Sequence, residues 1–165
     1  MARTLLALIL AASAAWSQPA VNNAPLDLEG PRLGLTYLNP GLIDRLAKDR
    51  DVDLKPVVIQ FGWQNESRFF TLNSGTTGVS ELILLLGGFE QGLFLPSATW
   101  LLGMRSGRGA EFGLGPNLSL AGSAIVFAAG VTHQTEGVNF PVNLALAYSE
   151  KGARISLLFG FNTRS

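Results

Sequence analysis

From residue 55 onward the chain alternates apolar and polar side chains with a period of two. Val57, Ile59, Phe61 and Trp63 fall on one side, and Val58, Gln60, Gly62 and Gln64 on the other. That spacing predicts a strand with two unlike faces. Asn65-Glu66 reads as a turn, and Arg68 to Asn73 as the returning strand. Loops follow at 74–78 and 106–109, and hairpin turns at Ala121-Gly122 and Glu150-Lys151-Gly152. The clearest alternation puts Phe112, Leu114, Leu118 and Leu120 opposite Glu111, Gly113, Gly115, Asn117 and Ser119. Phe140, Val142, Leu144, Leu146 and Tyr148 repeat it, and Ile155, Leu157, Phe159 and Phe161 finish the series. Eight strands are predicted, over 56–64, 67–73, 79–89, 92–105, 110–120, 123–133, 139–149 and 153–162.

Ahead of them the pattern differs. Leu5 to Ala12 form an apolar run behind Arg3, and Ser13, Ala14, Ala15 and Ser17 supply small residues, the layout of a cleaved secretory signal. Arg32 to Tyr37 alternates and is a candidate strand. It would be a ninth, an awkward number for antiparallel closure, so either it lies outside the barrel or one of the eight is misread. Gly41 to Arg50 carries Leu42, Ile43, Leu46 and Ala47 at helical spacing, with Asp44, Arg45, Lys48 and Asp49 opposite. A short amphipathic helix follows, suited to covering a core or a barrel mouth. The expected division is a signal peptide at 1–17, a polar segment with a helix at 18–54, and a β-barrel at 55–165.

Alternation shows two faces without saying which meets water. Charge bears on this. Residues 27–55 hold 11 of the 24 charged side chains, whereas the far longer 56–165 stretch holds 12. The polar face of the strands is mostly Gly, Ala, Ser, Asn and Gln, whereas a soluble barrel presents many Lys, Glu and Asp to solvent. Such a face suits a narrow lumen, and the Leu, Ile, Val and Phe face suits lipid. The alternative is a soluble periplasmic or secreted barrel with the faces reversed and an apolar ligand inside. Phe112, Leu114, Phe127, Leu144 and Phe159 point outward in the first reading and inward in the second. The Leu82–Leu86 run is apolar at every position and predicts a strand buried on both faces.

Lys+Arg and Asp+Glu both number 12, so no global charge attracts nucleic acid, and the absence of cysteine excludes disulfides and thiolate chemistry. No phosphate-loop or dinucleotide motif is present. His133, the single histidine, stands beside Thr132, Thr135 and Glu136 without a nucleophile motif. It would carry a lipid-modifying site if there were one, but no catalytic residue, cofactor or metal ligand is assigned. The candidate site is instead the set of charges on the polar face: Arg68, Glu81, Arg105, Glu111 and Arg154. Buried charges must pair, so a lumenal network is expected joining Glu81 and Glu111 to Arg105 and Arg154, as a structural plug or a ligand-contacting site.

With its export signal, absent cysteine, ten-residue alternating segments and closing Ile155, Leu157, Phe159 and Phe161, the chain resembles the small eight-stranded bacterial outer-membrane β-barrels over residues 55–162. That resemblance implies an all-β, antiparallel up-and-down barrel in the outer membrane, non-enzymatic, with a structural, adhesive or lipid-contacting role. Its implied partners are membrane lipid and, during biogenesis, the barrel-assembly machinery. In that family the last strand usually closes on an aromatic residue, whereas Asn162 to Ser165 follow Phe161 here.

Overall fold

A computed structural model describes residues 26–135 and 137–164. The signal segment expected at 1–17, and the lead-in up to residue 25, lie outside them. Eight antiparallel strands form one closed sheet. They are β1 (Leu26–Leu38), β2 (Val57–Thr71), β3 (Thr77–Gly87), β4 (Leu95–Arg105), β5 (Ala110–Ser119), β6 (Gly122–Gln134), β7 (Val138–Ser149) and β8 (Gly152–Gly160, resuming as Asn162–Arg164). Each strand pairs with the next in sequence, and β1 pairs with both β2 and β8 to close the barrel.

The count of eight holds, but its composition changes. The segment at 32–37 belongs to the barrel as part of β1, so the described barrel includes residues ahead of the expected start at 55. The expected strands 56–64 and 67–73 are one strand, and Asn65-Glu66 is not a turn. Asn65 pairs with Glu29 on one side and Leu82 on the other. The two polar residues mimic a turn in composition, yet the inward parity of Gln60, Gln64, Glu66 and Arg68 runs through them unbroken. A bulge at Phe69 is the irregularity in this strand.

The register fixes the barrel's shape. From Arg68 the paired positions run through Val79, Gly103, Gly113, Ala128, Ala145, Ser156 and Thr36 to Val58. The circuit returns to β2 ten residues from its start. With a rise of about 3.3 Å per residue and strands about 4.8 Å apart, that stagger tilts the strands by roughly 40°. An 11-residue strand such as β3 or β4 then spans roughly 28 Å along the barrel axis. Tight coiling needs glycine at inward corners. A Cβ on Gly62 would lie 1.8 Å from the Leu84 carbonyl oxygen, and one on Gly115 1.9 Å from that of Trp100.

The last strand is interrupted at Phe161, with the same register on either side of the break. By that register Phe161 stands opposite Pro31 of β1, and its neighbour Gly160 stands opposite Pro141 of β7. Neither proline has an N–H to give the ladder. The Arg32 guanidinium takes up the slack, donating from one terminal nitrogen to the Pro31 carbonyl at 2.9 Å and the Phe161 carbonyl at 3.4 Å.

The helix α1 (Pro40–Arg50) stands at the end of the barrel opposite the described termini. Asn39 caps it, accepting from the Gly41 N–H at 2.9 Å, Pro40 opens it, and Lys48 and Arg50 sit in its last turn, where the dipole favours cations. Leu42 and Leu46 are buried on its underside against Leu38, Leu54, Val58 and Ala121, so the stripe expected to cover a barrel mouth does so. Arg45 donates to the Glu150 carbonyl, and Lys151 pairs with Asp49 at 2.8 Å, tying the lid to the β7–β8 turn. Lys151 holds the Asp49 carboxyl below its usual range. The clamp is therefore complete above the ordinary carboxylate range and is lost as pH falls through the depressed value. Leu42→Ala is expected to cost about 2–5 kcal/mol, felt mainly by the lid. Hydrogen exchange would show amides of 40–50 losing protection while those of β5–β7 keep theirs.

Candidate functional site

Outward positions form an apolar belt on every strand. Leu33 and Leu35 of β1, Ile59 and Phe61 of β2, Leu82 and Leu84 of β3, and Trp100 and Leu102 of β4 are all exposed. So are Phe112 and Leu114 of β5, Ile125 and Phe127 of β6, Leu144 and Leu146 of β7, and Leu157 and Phe159 of β8. Tyr37 and Tyr148 flank the belt at the helix end, and Phe69, Phe140 and Phe161 at the other. Glu111 and Asn143 face inward and are buried. This is the arrangement of the membrane reading, and the reverse of the one a soluble apolar-ligand barrel requires. Contrary to expectation, the Leu82–Leu86 run is not buried on both faces. Ile83 and Leu85 face the lumen and are buried, and Leu82 and Leu84 face outward.

The lumen is filled in layers. In the half nearer the termini the charges meet around Arg105, whose two terminal nitrogens donate to the two oxygens of Glu66 at 2.5 and 2.6 Å. Its Nε donates to Glu111 at 2.5 Å, and Glu81 lies 3.6 Å away. Arg68 adds a second cation to Glu66 at 3.1 Å, and the Thr132 hydroxyl donates to Glu111 at 2.8 Å. Arg32 stands in the same half, donating to Gln64 at 2.8 Å and Asn162 at 2.7 Å. Arg32, Arg68 and Arg105 thus balance Glu66, Glu81 and Glu111. The middle layer is apolar, built from Ile83, Leu85, Leu101, Val126, Leu158 and four alanines. Above it, towards the lid, a polar layer holds Asn117, Ser97, Thr99, Gln60 and Arg154.

Of the five expected site residues, four meet. Arg68, Glu81, Arg105 and Glu111 stand together, while Arg154 does not join them. It donates to Asn117 and, at 3.1 Å, to Ser119, at the opposite end of the lumen. The physical reason is the up-and-down course of the strands, which sets the turns at 106–109 and 150–151 at opposite ends. Counting alternate turns along the sequence would have found this. Sequence reasoning missed Glu66 because it sat in an apparent turn, and Arg32 because its strand was left outside the barrel. The inward parity of both was the available signal. His133 is exposed on the outward face of β6, while the neighbouring Thr132 points inward to Glu111. Glu136 lies outside the described residues.

Three small cavities interrupt the lumen, of about 10, 50 and 60 Å³. Packed side chains fill the rest of the interior, as expected where eight strands leave just enough room for side chains.

A closed, tilted, eight-stranded antiparallel barrel with an apolar exterior and a filled interior that buries a charge cluster is the fold of the small outer-membrane β-barrels. Among solved structures the chain is similar to Ail, the attachment invasion locus protein of Yersinia pestis. The TM-score is 0.54 at 12% identity, over 86% of this chain and 97% of that one. Ail in complex with the heparin analogue sucrose octasulfate gives a TM-score of 0.52 at 8% identity over the same shares. Ail in a phospholipid bilayer nanodisc gives 0.50 at 12% identity, over 84% of this chain and 99% of that one. At these identities the likeness is one of fold. No family model and no curated protein matches the chain.

Proposed function

We propose that this chain is a non-enzymatic outer-membrane β-barrel with a structural, adhesive or lipid-contacting role, its lumen closed by an ionic plug and its helix-bearing end outside the cell. The observation that carries this reading is the continuous apolar belt, present on all eight strands. In water it would be an exposed hydrophobic surface far larger than a soluble monomer tolerates. In a bilayer it removes apolar area from contact with headgroup and solvent, and closure leaves no unpaired strand edge in lipid. Outer-membrane barrels keep short turns on the periplasmic side. The end with the described termini has the turns 72–76 and 106–109, while the other carries the two longest connections, 39–56 with α1 and 88–94, beside tight turns at 120–121 and 150–151.

That exterior end bears on what the barrel could touch. Its connecting segments hold Arg45, Lys48, Arg50, Lys55 and Lys151 against Asp44, Asp49, Asp51, Asp53, Glu90 and Glu150. Mixed charge of this kind does not favour a sulfated polyanion of the sort seen on Ail, and leaves protein or lipid contact as the better-supported role.

The test is fractionation of the expressed protein, with gel mobility compared before and after boiling. Recovery in the outer membrane with a heat-dependent shift is expected. Recovery in the soluble periplasm would overturn the proposal.

A further inference from the structure

We propose that the chamber beneath α1 is a binding site for a short-chain carboxylate, with Arg154 as the anion anchor. Two of the cavities, of about 50 and 60 Å³, meet at this residue, and Gln60, Ser97 and Arg154 stand in the walls of both.

The polar chemistry of those shared walls is one-sided. Arg154 has five N–H donors, and the structure engages one on each terminal nitrogen, with Asn117 and Ser119 as acceptors. Both acceptors are neutral, and no carboxylate forms an ion pair with Arg154 among the described residues. In the plug Arg68 and Arg105 are ion-paired with carboxylates, and Arg32, which hydrogen-bonds neutral acceptors, stands in the half of the lumen that holds Glu66, Glu81 and Glu111. Gln60 accepts from the Thr36 hydroxyl at 2.5 Å through its Oε1, which leaves its amide N–H groups to donate elsewhere. Ser97 accepts from Asn117 at 2.8 Å, so its own proton is free to donate. Gln60, Ser97 and Arg154 thus offer an amide, a hydroxyl and a guanidinium to the shared walls, while Asn143 adds an unpartnered Oδ1 to the deeper cavity, and a half-buried cation lacks a counter-charge. An anion supplies that charge.

The remainder of the chamber selects the kind of anion. Toward the lid its walls are Leu38, Leu46, Leu54, Val58 and Leu95, which suit an alkyl tail and not a hydrated ion. On the scale at which a cavity of about 150 Å³ accepts benzene, the two spaces together take roughly four or five heavy atoms. A carboxylate of two or three carbons fits, with its oxygens on Arg154, Ser97 and Gln60 and its methyl or ethyl group under Leu46. The inference rests on the chamber alone and holds in whichever compartment the barrel resides.

Propionate titrated into the detergent-folded protein, followed by ligand-observed NMR, tests it. Saturable binding is expected, with affinity lowered at least tenfold in Arg154→Gln and little competition from chloride or propylammonium. Leu46→Trp fills the chamber while leaving Arg154 in place, and is expected to abolish binding too. Both variants are checked for the heat-dependent mobility of a folded barrel. Absence of saturable binding to the unaltered protein, or unchanged affinity in folded Arg154→Gln or folded Leu46→Trp, would overturn the proposal. Equal displacement by chloride would overturn the carboxylate assignment.

Discussion

Replacing Arg105 with alanine is expected to destabilise the barrel by about 3–5 kcal/mol, because breaking a buried ion pair strands the partner charge. Here one guanidinium holds Glu66 and Glu111 directly and stands nearest to Glu81. Without it three carboxylates share a buried layer with Arg68, at 3.1 Å from Glu66, as the remaining direct ion-pair partner. Arg105→Lys is expected to recover part of the loss, since an ammonium restores charge but cannot reproduce the two-pronged contact to Glu66. Arg105→Met combined with Glu66→Leu should be milder than Arg105→Ala alone, because it removes one of the three carboxylates that Arg105→Ala strands and leaves two cations with two carboxylates in that half of the lumen. Urea unfolding of the detergent-folded protein reads all three. A stability unchanged in Arg105→Ala would contradict the pairing as drawn.

On the outer surface the largest expected effect is that of Leu144→Arg. Leu144 is exposed and central in β7, so in a bilayer it lies near the midplane, where an arginine on the lipid face costs about 2–4 kcal/mol. Tyr148→Arg, two outward positions further toward the rim and the most exposed of the large outward residues at 71%, is expected to cost at most about 1 kcal/mol there. Refolding into lipid vesicles under a urea gradient measures both. The difference between the two positions is the informative quantity. A barrel in water would be nearly indifferent to either change, so equal and small effects would argue against insertion.

Much of this architecture was legible in the alternation of residues. From β5 to β8 the expected and observed strands agree to within a residue or two, because a strand with one apolar and one polar face leaves an unbroken period of two. The helix was legible from Leu42 and Leu46, and its role as a cover followed from having one apolar stripe and no other element to bury it. The failures had physical causes as well. Asn65 and Glu66 have turn-like composition, but neighbouring strands on both sides supply their backbone hydrogen bonds, and tertiary pairing outweighs local preference. β1 was left in doubt because reading Asn65-Glu66 as a turn split β2 in two and made 32–37 a ninth strand. Pro31 of β1 gives the ladder no N–H, and Arg32 compensates through a contact with Phe161, far away in sequence.

By itself, the sequence determined that the chain forms strands with two unlike faces and that its inward charges would need partners, since both follow from side-chain spacing and the cost of burying charge. The tertiary structure decided which face is outside, which segment closes the sheet and which charges meet. Those depend on the ten-residue stagger around the barrel, which brings Glu66, Glu81, Arg105 and Glu111 to one layer and carries Arg154 to another. That stagger is a property of closure, and no local stretch of sequence contains it.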